Sequence, residues 1–187
     1  MKGVKGTLKE KIALLRLKQG DTEAFGYLYD VYVDRIHRYV MFRVSDKSMA
    51  YDITQEVFLT TWEYIVDSRP IKNLKSFIYK VAYNKVVNHY RTRGRQALLI
   101  DDIGETREPS TDHPTVDVEM QLLQKQIDKL KPEYQDVIIL RHVEGLSMQE
   151  VADIVSKDVN AVRVTLHRAM TSLKKIHNPN NNKEKES

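Results

Sequence analysis

The outer face of the last predicted helix carries the residues best suited to contact another molecule. Two short helices follow each other between Leu146 and Met170, and the second has a polar face away from its apolar stripe, formed by Asn160, Arg163, Val164, His167 and Thr171. Asn160 and Arg163 can hydrogen-bond base edges, and Val164 can touch a thymine methyl group. His167, Arg168 and Lys174 suit phosphates.

The elements that position these side chains form a predicted helix-turn-helix pair. Val162, Leu166 and Ala169 recur at spacings of four and three and form the inner stripe of the second helix. The first helix supplies the partner surface through Val151, Ala152, Ile154 and Val155. Two helices joined by a short turn can place the second one in the major groove. An ordinary helical hairpin with a hydrated outer face is the alternative.

A second candidate site lies in the segment DITQEVFLTTW. Asp52, Gln55 and Glu56 share one helical face, and Phe58 and Trp62 lie four residues apart. Acids beside large aromatic side chains indicate a protein-binding surface, because aromatic anchors often supply the binding energy of an interface. The alternative is that Phe58 and Trp62 belong to the core.

A third candidate site is the segment from Phe77 to Arg95, in which tyrosines alternate with basic residues. Bases stack on aromatic rings while cations follow the phosphate backbone, so the pattern favours single-stranded nucleic acid. The residues concerned are Tyr79, Tyr83, Tyr90, Lys80, Lys85, Arg91, Arg93 and Arg95. For each tyrosine taken alone, an interior ring with a hydrated hydroxyl is the alternative.

Charge is segregated along the chain, although the net charge is only +4. Residues 72–95 and 163–175 carry cations and no acid, whereas residues 101–119 carry seven acids and one arginine. Two basic blocks around an acidic connector indicate a polyanion that contacts both ends of the molecule. Solvated helix faces would explain the same pattern.

The composition excludes several classes of site. The 187 residues include no cysteine, which rules out disulfides and thiolate metal sites. There is no GxxxxGK[ST] loop or HExxH pair, and the six histidines show no ligand spacing. We therefore expect no enzyme activity, no metal and no cofactor, with a buried carboxylate cluster as the open alternative. The absence of a secretory leader and of a long apolar run predicts a cytoplasmic protein without membrane insertion.

Helical periodicity predicts an all-α chain with two small helical domains joined by a flexible linker. For the first domain, residues 1–92, the pattern predicts helices over about 8–19, 21–44, 49–66 and 74–91. The first of these is amphipathic, with Leu8, Ile12 and Leu15 on one side. Gly20 should end it, and Asp21 should cap the next helix.

The remainder of the chain contains the linker, the second domain and a tail. Residues 93–117 lose apolar periodicity and predict a flexible acidic linker. Residues 118–177 form the second domain, also of four helices, and residues 178–187 are expected to be disordered. The breaks between its helices are predicted at Pro132, at Gly145 and at Ser156–Asp158, with a capping box at Ser147 and Glu150 and a cap at Asp158.

Three segments in this order resemble a bacterial RNA polymerase sigma factor of the sigma-70 family, in its small two-domain extracytoplasmic-function (ECF) group. They are DITQEVFLTTW, SFIYKVAYNKVVNHYR and LKPEYQDVIILRHVEGLSMQEVADIVSKDVNAVRVTLHRAMTSLKK. The similarity extends from about Leu17 to Ile176. It implies that the first domain is region 2 and the second is region 4, and that the chain directs core polymerase to specific promoters and helps to open the DNA.

The resemblance also implies residue roles. The clamp helices of the polymerase β′ subunit are contacted by Asp52, Gln55, Glu56 and Phe58. The loop at residues 67–73 and the following helix separate the strands at the minus-ten element and hold a flipped base, along a track of Lys80, Tyr83, Asn84, Asn88 and Arg91. Duplex DNA at the minus-thirty-five element is contacted by Asn160, Arg163, Val164, Thr165, His167 and Arg168.

Two further partners follow from the resemblance. The helices that contain Val137, Ile138 and Leu140 pack region 4 and meet the flap tip of the polymerase β subunit. An anti-sigma protein often covers the polymerase-binding faces of such factors. The runner-up interpretation is a stand-alone helix-turn-helix regulator that binds duplex DNA and uses its first domain to sense or dimerise.

This chain departs from the family pattern in the turn of the helix-turn-helix. Ser156 and Lys157 stand where the family often has glycine and an apolar residue. Glycine adopts left-handed backbone angles without the steric cost that serine incurs, so this turn is expected to be different or strained. Thr165 replaces a usual basic residue, and Val159 occupies a commonly polar position.

Overall fold

The computed structural model describes the backbone of residues 2–44, 46–99 and 118–177, and the side chains of residues 8–44, 46–92 and 122–177. Every regular element in these ranges is helical. The chain divides into two compact units, Met1–Gly104 and Glu105–Ser187. The predicted all-α fold with two helical domains is therefore confirmed. Residues 100–117, which are most of the predicted linker, and the tail at 178–187 lie outside the described residues.

The first unit contains four helices: α1 (Lys2–Lys18), α2 (Glu23–Arg43), α3 (Lys47–Val66) and α4 (Leu74–Leu99). Helix α2 packs against the other three, and α3 packs against α1 and α4. The fully buried residues of α2 include Leu28, Tyr32 and Ile36, at the spacing of four that the sequence shows. This core holds α3 and α4 side by side.

Side-chain hydrogen bonds to backbone N–H groups lie at the starts of three of these helices, and two of them are caps. Asp21 accepts the backbone N–H of Glu23 at 3.1 Å, but the cap of α2 is Thr22 rather than the predicted Asp21, and the Thr22 side chain makes no cap hydrogen bond. Asp46 accepts the N–H of Met49 at 3.0 Å, so α3 begins at Lys47, two residues before the predicted start. Asn73 accepts the N–H of Ser76 at 3.0 Å and caps α4.

Helix α1 turns its apolar stripe outward. Leu8, Ile12 and Leu15 are exposed, whereas Ala13 and Leu17 are buried. Tyr32 of α2 donates its hydroxyl to Glu10 at 2.9 Å on the inner side of α1. Burial and the neighbouring Glu10 carboxylate raise the pKa of the Tyr32 hydroxyl far above its ordinary value, so it stays protonated and donates. Leu8, Ile12 and Leu15 thus form a surface of their own.

Helix α4 is longer than the sequence predicts. It continues to Leu99, so residues 93–99 of the predicted linker are helical. Gly94 lowers helix propensity by about 1 kcal/mol but does not end a helix by itself. Residues 95–99, with the sequence RQALL, are all favourable helix formers, which explains why the helix passes through the glycine.

The second unit contains α5 (Val118–Ile127), α6 (Pro132–Ile138), a π-helical segment (Ile139–Val143), α7 (Met148–Val155) and α8 (Val159–His177). Helix α6 packs against α8, and α7 packs against α8. Val137, Ile138 and Leu140 are buried in this core, as predicted. The Gln135 side-chain amide donates to the carbonyl of Leu130 at 2.8 Å and so gives a hydrogen-bond partner to a backbone carbonyl just beyond the end of α5.

The junctions in the second unit follow the predicted signals, with one addition. Pro132 stands at the start of α6. Ser147 and Glu150 form the capping box, with each side chain accepting the other's backbone N–H, at 2.7 Å and 3.2 Å. Gly145 has a positive φ of 66° after the π-helical segment. The π-helical segment was not predicted, because residues 139–143 contain no proline or glycine that would mark a change of helix type in the sequence.

Candidate nucleic-acid and protein interfaces

The turn between α7 and α8 is strained, which is one of the two outcomes expected from serine in place of glycine. Ser156 adopts left-handed angles, φ 56° and ψ 44°, and its N–H donates to the carbonyl of Ala152. Asp158 accepts the N–H of Ala161 at 2.8 Å and caps α8, as predicted. The serine bears the steric cost that glycine would avoid, about 1–2 kcal/mol for a left-handed non-glycine residue.

The inner side of α8 packs as the sequence predicts. Val162 and Ala169 are buried against the unit, and Leu166 is half-buried. On α7, Val151, Ala152, Ile154 and Val155 are all buried. These contacts set the crossing of the two helices and leave the opposite side of α8 open to solvent.

The outer side of α8 brings together the side chains predicted to contact duplex DNA. Asn160, Arg163, Val164, His167 and Arg168 are exposed there, while Thr165 is half-buried. Arg163 donates to the amide oxygen of Asn160 at 3.1 Å, so the two residues nearest the start of the helix are held together. Helix α8 contains no acid. The surface is therefore positive and rich in hydrogen-bond donors, as contact with phosphates and base edges requires.

One face of α4 carries the predicted minus-ten residues. Asn84, Asn88 and Arg91 are exposed at spacings of four and three, and Lys80 and Tyr83 are half-buried on the same side of the helix. The face offers amides, cations and one aromatic ring in a line along the helix. This is the combination expected of a track for single-stranded DNA.

Two of the tyrosines in this segment serve the fold. Tyr79 is completely buried, and its ring meets that of Tyr39 edge-on at 6.0 Å. The interior alternative is therefore correct for Tyr79, which cannot stack on a base. Tyr90 is partly exposed, and its hydroxyl donates to the carbonyl of Arg43 and ties α4 to the end of α2.

The loop between α3 and α4 is held in place by short-range contacts. Ser68 has a left-handed φ of 55°, and Arg69 pairs with Asp67 at 2.9 Å. The Arg69 guanidinium also lies 5.3 Å from the centre of the Tyr64 ring. The loop thus folds back on the end of α3 and delivers the chain to the capped start of α4.

The acidic residues predicted to bind a protein share the outer side of α3. Asp52 and Glu56 are exposed, and Gln55 is half-buried, with its amide 3.4 Å from the Tyr29 hydroxyl. Glu56 pairs with Lys85 of α4 at 2.9 Å. The acidic surface of α3 therefore borders the helix that carries the predicted minus-ten residues.

Phe58 does not belong to this surface, and its assignment to a protein contact is wrong. Its side chain is 3% exposed, and its ring lies 4.7 Å from that of Tyr29. Trp62 packs in the same way, 5.0 Å from Phe25. The core alternative is correct because Phe58 and Trp62 form the inner, aromatic seam between α2 and α3.

Two apolar residues that sequence reasoning missed take the place of Phe58 on the outer side of α3. Tyr51 is 59% exposed and Leu59 is 58% exposed. Leu59 follows Asp52 by seven residues and Glu56 by three, so it lies on the same face as both acids. That spacing is visible in the sequence and could have identified it. We call Tyr51, Asp52, Gln55, Glu56 and Leu59 the α3 face.

Comparisons with known proteins match both units. The family model described as Sigma-70 region 2 matches residues 28–96, and the one described as Sigma-70, region 4 matches residues 120–173. Together they cover well over half of the chain. The first match begins within α2 and ends within α4, and the second begins within α5 and ends within α8, so it includes α7 and the turn before α8.

The curated relatives are sigma factors. The ECF RNA polymerase sigma factor BldN of Streptomyces coelicolor is 28% identical, over 86% of this chain and 63% of its own length. The ECF RNA polymerase sigma factor SigW of Bacillus subtilis is 24% identical, over 88% of this chain and 95% of its own. The RNA polymerase sigma factor YlaC, also of Bacillus subtilis, is 29% identical, over 79% and 88%.

Solved structures share the fold. The sigma factor RpoE in complex with the anti-sigma factor NepR, from Bartonella quintana, superposes with a TM-score of 0.75, at 19% identity over 85% of this chain and 99% of that one. CnrH, in complex with the cytosolic domain of CnrY, gives a TM-score of 0.69, at 21% identity over 92% and 99%. In the part of the chain that the structure describes, no helix has both the length and the apolar character needed to cross a membrane. With region 2 and region 4 matched in order, the chain belongs to the sigma-70 family of RNA polymerase sigma factors, in its ECF group.

Proposed function

We propose that this chain docks on core RNA polymerase through the α3 face and holds promoter DNA with α4 at the minus-ten element and α8 at the minus-thirty-five element. The observation that carries this proposal is that the α3 face adjoins α4, where Glu56 forms an ion pair with Lys85 at 2.9 Å. A docked polymerase would lie beside the helix that must receive the separated strand.

Docking uses acids around exposed apolar anchors. Asp52 and Glu56 complement a basic partner, and Leu59 and Tyr51 supply apolar area that is open in the free chain. Interfaces commonly combine a few such anchors with a polar rim. The expected partner is the pair of clamp helices on the β′ subunit, while the region 4 unit, built around Val137, Ile138 and Leu140, meets the β flap.

Strand separation uses the exposed face of α4. Extruding a base costs a few kcal/mol, which new contacts must offset. The Asn84 amide can donate to and accept from the edge of an extruded base, and Tyr83 offers part of a ring for stacking. Lys80, Asn88 and Arg91 continue along the same side and suit the phosphates of the displaced strand.

Promoter choice depends on α8 as well. Asn160 and Arg163 lie in the first turns of the helix, where the recognition helix of a helix-turn-helix reads base edges. His167 and Arg168 follow on the outer side and suit phosphates. The chain itself performs no reaction in this proposal, since the polymerase supplies the chemistry, and it acts in the cytoplasm without a cofactor.

Control by an anti-sigma protein is part of the proposal. The support is that the α3 face is exposed in the free chain, and that RpoE and CnrH, which share this fold, were solved with anti-sigma partners. A protein that covers Leu59 and the acids around it would exclude polymerase from the same place.

Binding to purified core polymerase separates this proposal from the stand-alone regulator. We expect a stable complex, measured by co-elution in size-exclusion chromatography at physiological salt, and loss of the complex in the variant Leu59→Arg. A chain that binds a duplex promoter fragment tightly but never co-elutes with core polymerase would favour the regulator. The sigma-factor matches across both units do not favour that outcome.

A further inference from the structure

The outer side of α1 is an apolar stripe that belongs to none of the surfaces described so far. Leu8 is 61% exposed, Ile12 48% and Leu15 60%. They follow one another at spacings of four and three, so they lie in one line along the helix. Among the described side chains of α1, Ala13 and Leu17 are the buried ones. The stripe therefore lies outside the core.

Cations flank this stripe on both sides. Helical geometry places Lys11 and Lys18 along one edge and Lys9 and Arg16 along the other. Lys9, Lys11 and Lys18 are exposed, while Arg16 pairs with Asp21 at 2.6 Å. Within residues 8–18 the one acid is Glu10, which faces inward and accepts a hydrogen bond from the Tyr32 hydroxyl. The outer side of α1 is thus apolar and positive.

An open hollow of about 260 Å³ adjoins the stripe, between α1, the end of α3 and the loop that follows it. Its apolar lining comes from Leu14, Leu15, Ile65 and Ile71, and its cations are Lys11, Lys18 and Arg69. An apolar cavity of about 150 Å³ in another protein already accepts benzene. This hollow therefore has room for one large apolar side chain.

We propose that the outer side of α1 binds an acidic amphipathic helix of a partner protein. Its apolar residues cover Leu8, Ile12 and Leu15, one of them enters the hollow, and its carboxylates pair with Lys11 and Lys18. A helix that lays its apolar face on another apolar surface is a common mode of recognition, and complementary charge selects the partner. The α3 face is acidic whereas this surface is basic, so the two surfaces select partners of opposite charge.

A protein helix fits this surface better than an anionic membrane does. Among the α1 side chains that the structure describes, from residue 8 onward, the stripe has three apolar residues over eight positions, or about 10 Å of helix, whereas helices that lie in membranes use a long apolar face. The hollow is concave, and Ile65 in its lining is almost completely buried. A side chain inserted from a partner helix can reach Ile65 in the lining of the hollow, whereas a flat bilayer surface cannot.

The test is a titration of the full-length, ¹⁵N-labelled chain with a synthetic 18-residue helical peptide of leucine, alanine and glutamate. We expect chemical-shift changes confined to residues 8–18 and 65–71. Binding should weaken about tenfold in the double variant Lys11→Glu, Lys18→Glu, since two exposed charges are reversed, and comparably in Leu15→Asp. The matched control is Leu122→Asp, which changes a residue of similar exposure, 56%, in the other unit and should bind normally.

Three results would overturn the proposal. One is equal binding of the peptide with lysine in place of glutamate. Another is preferential binding of α1 to phosphatidylglycerol vesicles over the peptide. The third is displacement of the peptide by a synthetic copy of residues 98–117, because the occupant would then be the acidic segment of this chain. Polymerase binding by the α1 variants should stay unchanged, so failure here is separate from failure of the proposed function.

Discussion

Lys85 of α4 forms an ion pair with Glu56 of α3, with 2.9 Å between Nζ and Oε2. The pair joins the helix proposed to follow single-stranded DNA to the face proposed to meet polymerase. Both side chains are partly exposed, so the pair contributes no more than about 1 kcal/mol to stability. A cation supplied by the polymerase at Glu56 would therefore compete easily for the carboxylate and free Lys85 for a phosphate.

Reversing the charge of Glu56 should separate its two roles. Glu56→Arg is expected to weaken capture of core polymerase by at least tenfold and to leave the melting temperature almost unchanged, because the residue is exposed. The double variant Glu56→Arg, Lys85→Glu restores an ion pair within the chain but not the acidic docking surface. If the double variant recovered normal capture in surface plasmon resonance, Glu56 would act only by holding Lys85.

Neighbouring residues of α3 should respond in opposite ways to truncation. Phe58→Ala removes a buried ring and should lower the free energy of unfolding by about 3–5 kcal/mol. Leu59→Ala should cost less than about 0.5 kcal/mol of stability but weaken polymerase binding by about 1 kcal/mol or more, as truncation of an interface anchor does. Urea unfolding and polymerase capture, measured on both variants, check the assignment. It is wrong if Leu59→Ala captures polymerase as well as the unaltered chain does.

The exposed amide of Asn84 should matter for single-stranded DNA. In the holoenzyme, Asn84→Ala is expected to weaken binding of a single-stranded minus-ten oligonucleotide by about 1–3 kcal/mol, the usual range for a bidentate base contact. Binding to duplex DNA that carries only the minus-thirty-five element should not change. Fluorescence anisotropy with the two probes measures both. Equal losses on both probes would show that the variant damages the protein rather than a base contact.

Arg163 is held by Asn160 in the free chain and should recognise one base position. Arg163→Ala is expected to cost about 1–3 kcal/mol on the preferred upstream element and to relax the preference at a single position. Lys174→Ala provides the comparison, since a phosphate contact weakens all sequences alike and lowers the salt dependence of binding. Binding to a randomised upstream element, followed by sequencing, gives both patterns. A uniform loss in Arg163→Ala would reassign Arg163 to the backbone.

The turn of the helix-turn-helix should gain stability from glycine. Ser156 has left-handed angles, and Ser156→Gly should raise the free energy of unfolding by about 0.5–1 kcal/mol, the steric relief less the extra entropy of glycine in the unfolded chain. Ser156→Ala keeps the β-carbon and should gain nothing. Thermal unfolding followed by circular dichroism compares the two variants. A loss of stability in Ser156→Gly would contradict the strain in this turn.

Local signals predicted some of the helix ends but not the starts of α1 and α3. Gly20, the Ser147 and Glu150 capping box, and Asp158 all act within one turn of the chain, where backbone groups and side chains meet regardless of the rest of the fold. The end of α4 was missed because Gly94 weakens a helix without terminating it, and flanking residues decide whether it continues. The π-helical segment has no local signal of this kind.

Which side of a helix faces the core was harder to predict, because it depends on contacts far away in sequence. In α1 Leu8, Ile12 and Leu15 lie outside, whereas Ala13 and Leu17 face the core and Glu10 is hydrogen-bonded to Tyr32 on the inner side. In α3 the aromatic Phe58 is inside because α2 offers Tyr29 to pack against it. The faces of α4 and α8 were predicted correctly where polar residues recur at helical spacing without an apolar competitor.

The proposed function requires that this chain direct polymerase to start sites through two separate DNA contacts. The most direct measurement is run-off transcription by purified core polymerase on genomic fragments, with and without the chain, followed by mapping of the start sites. We predict chain-dependent transcripts from a limited set of start points that share both upstream elements, with the set lost in Asn84→Ala and altered in Arg163→Ala. If transcription stays the same whether or not the chain is present, while the chain is folded and bound to core, the proposed function is wrong.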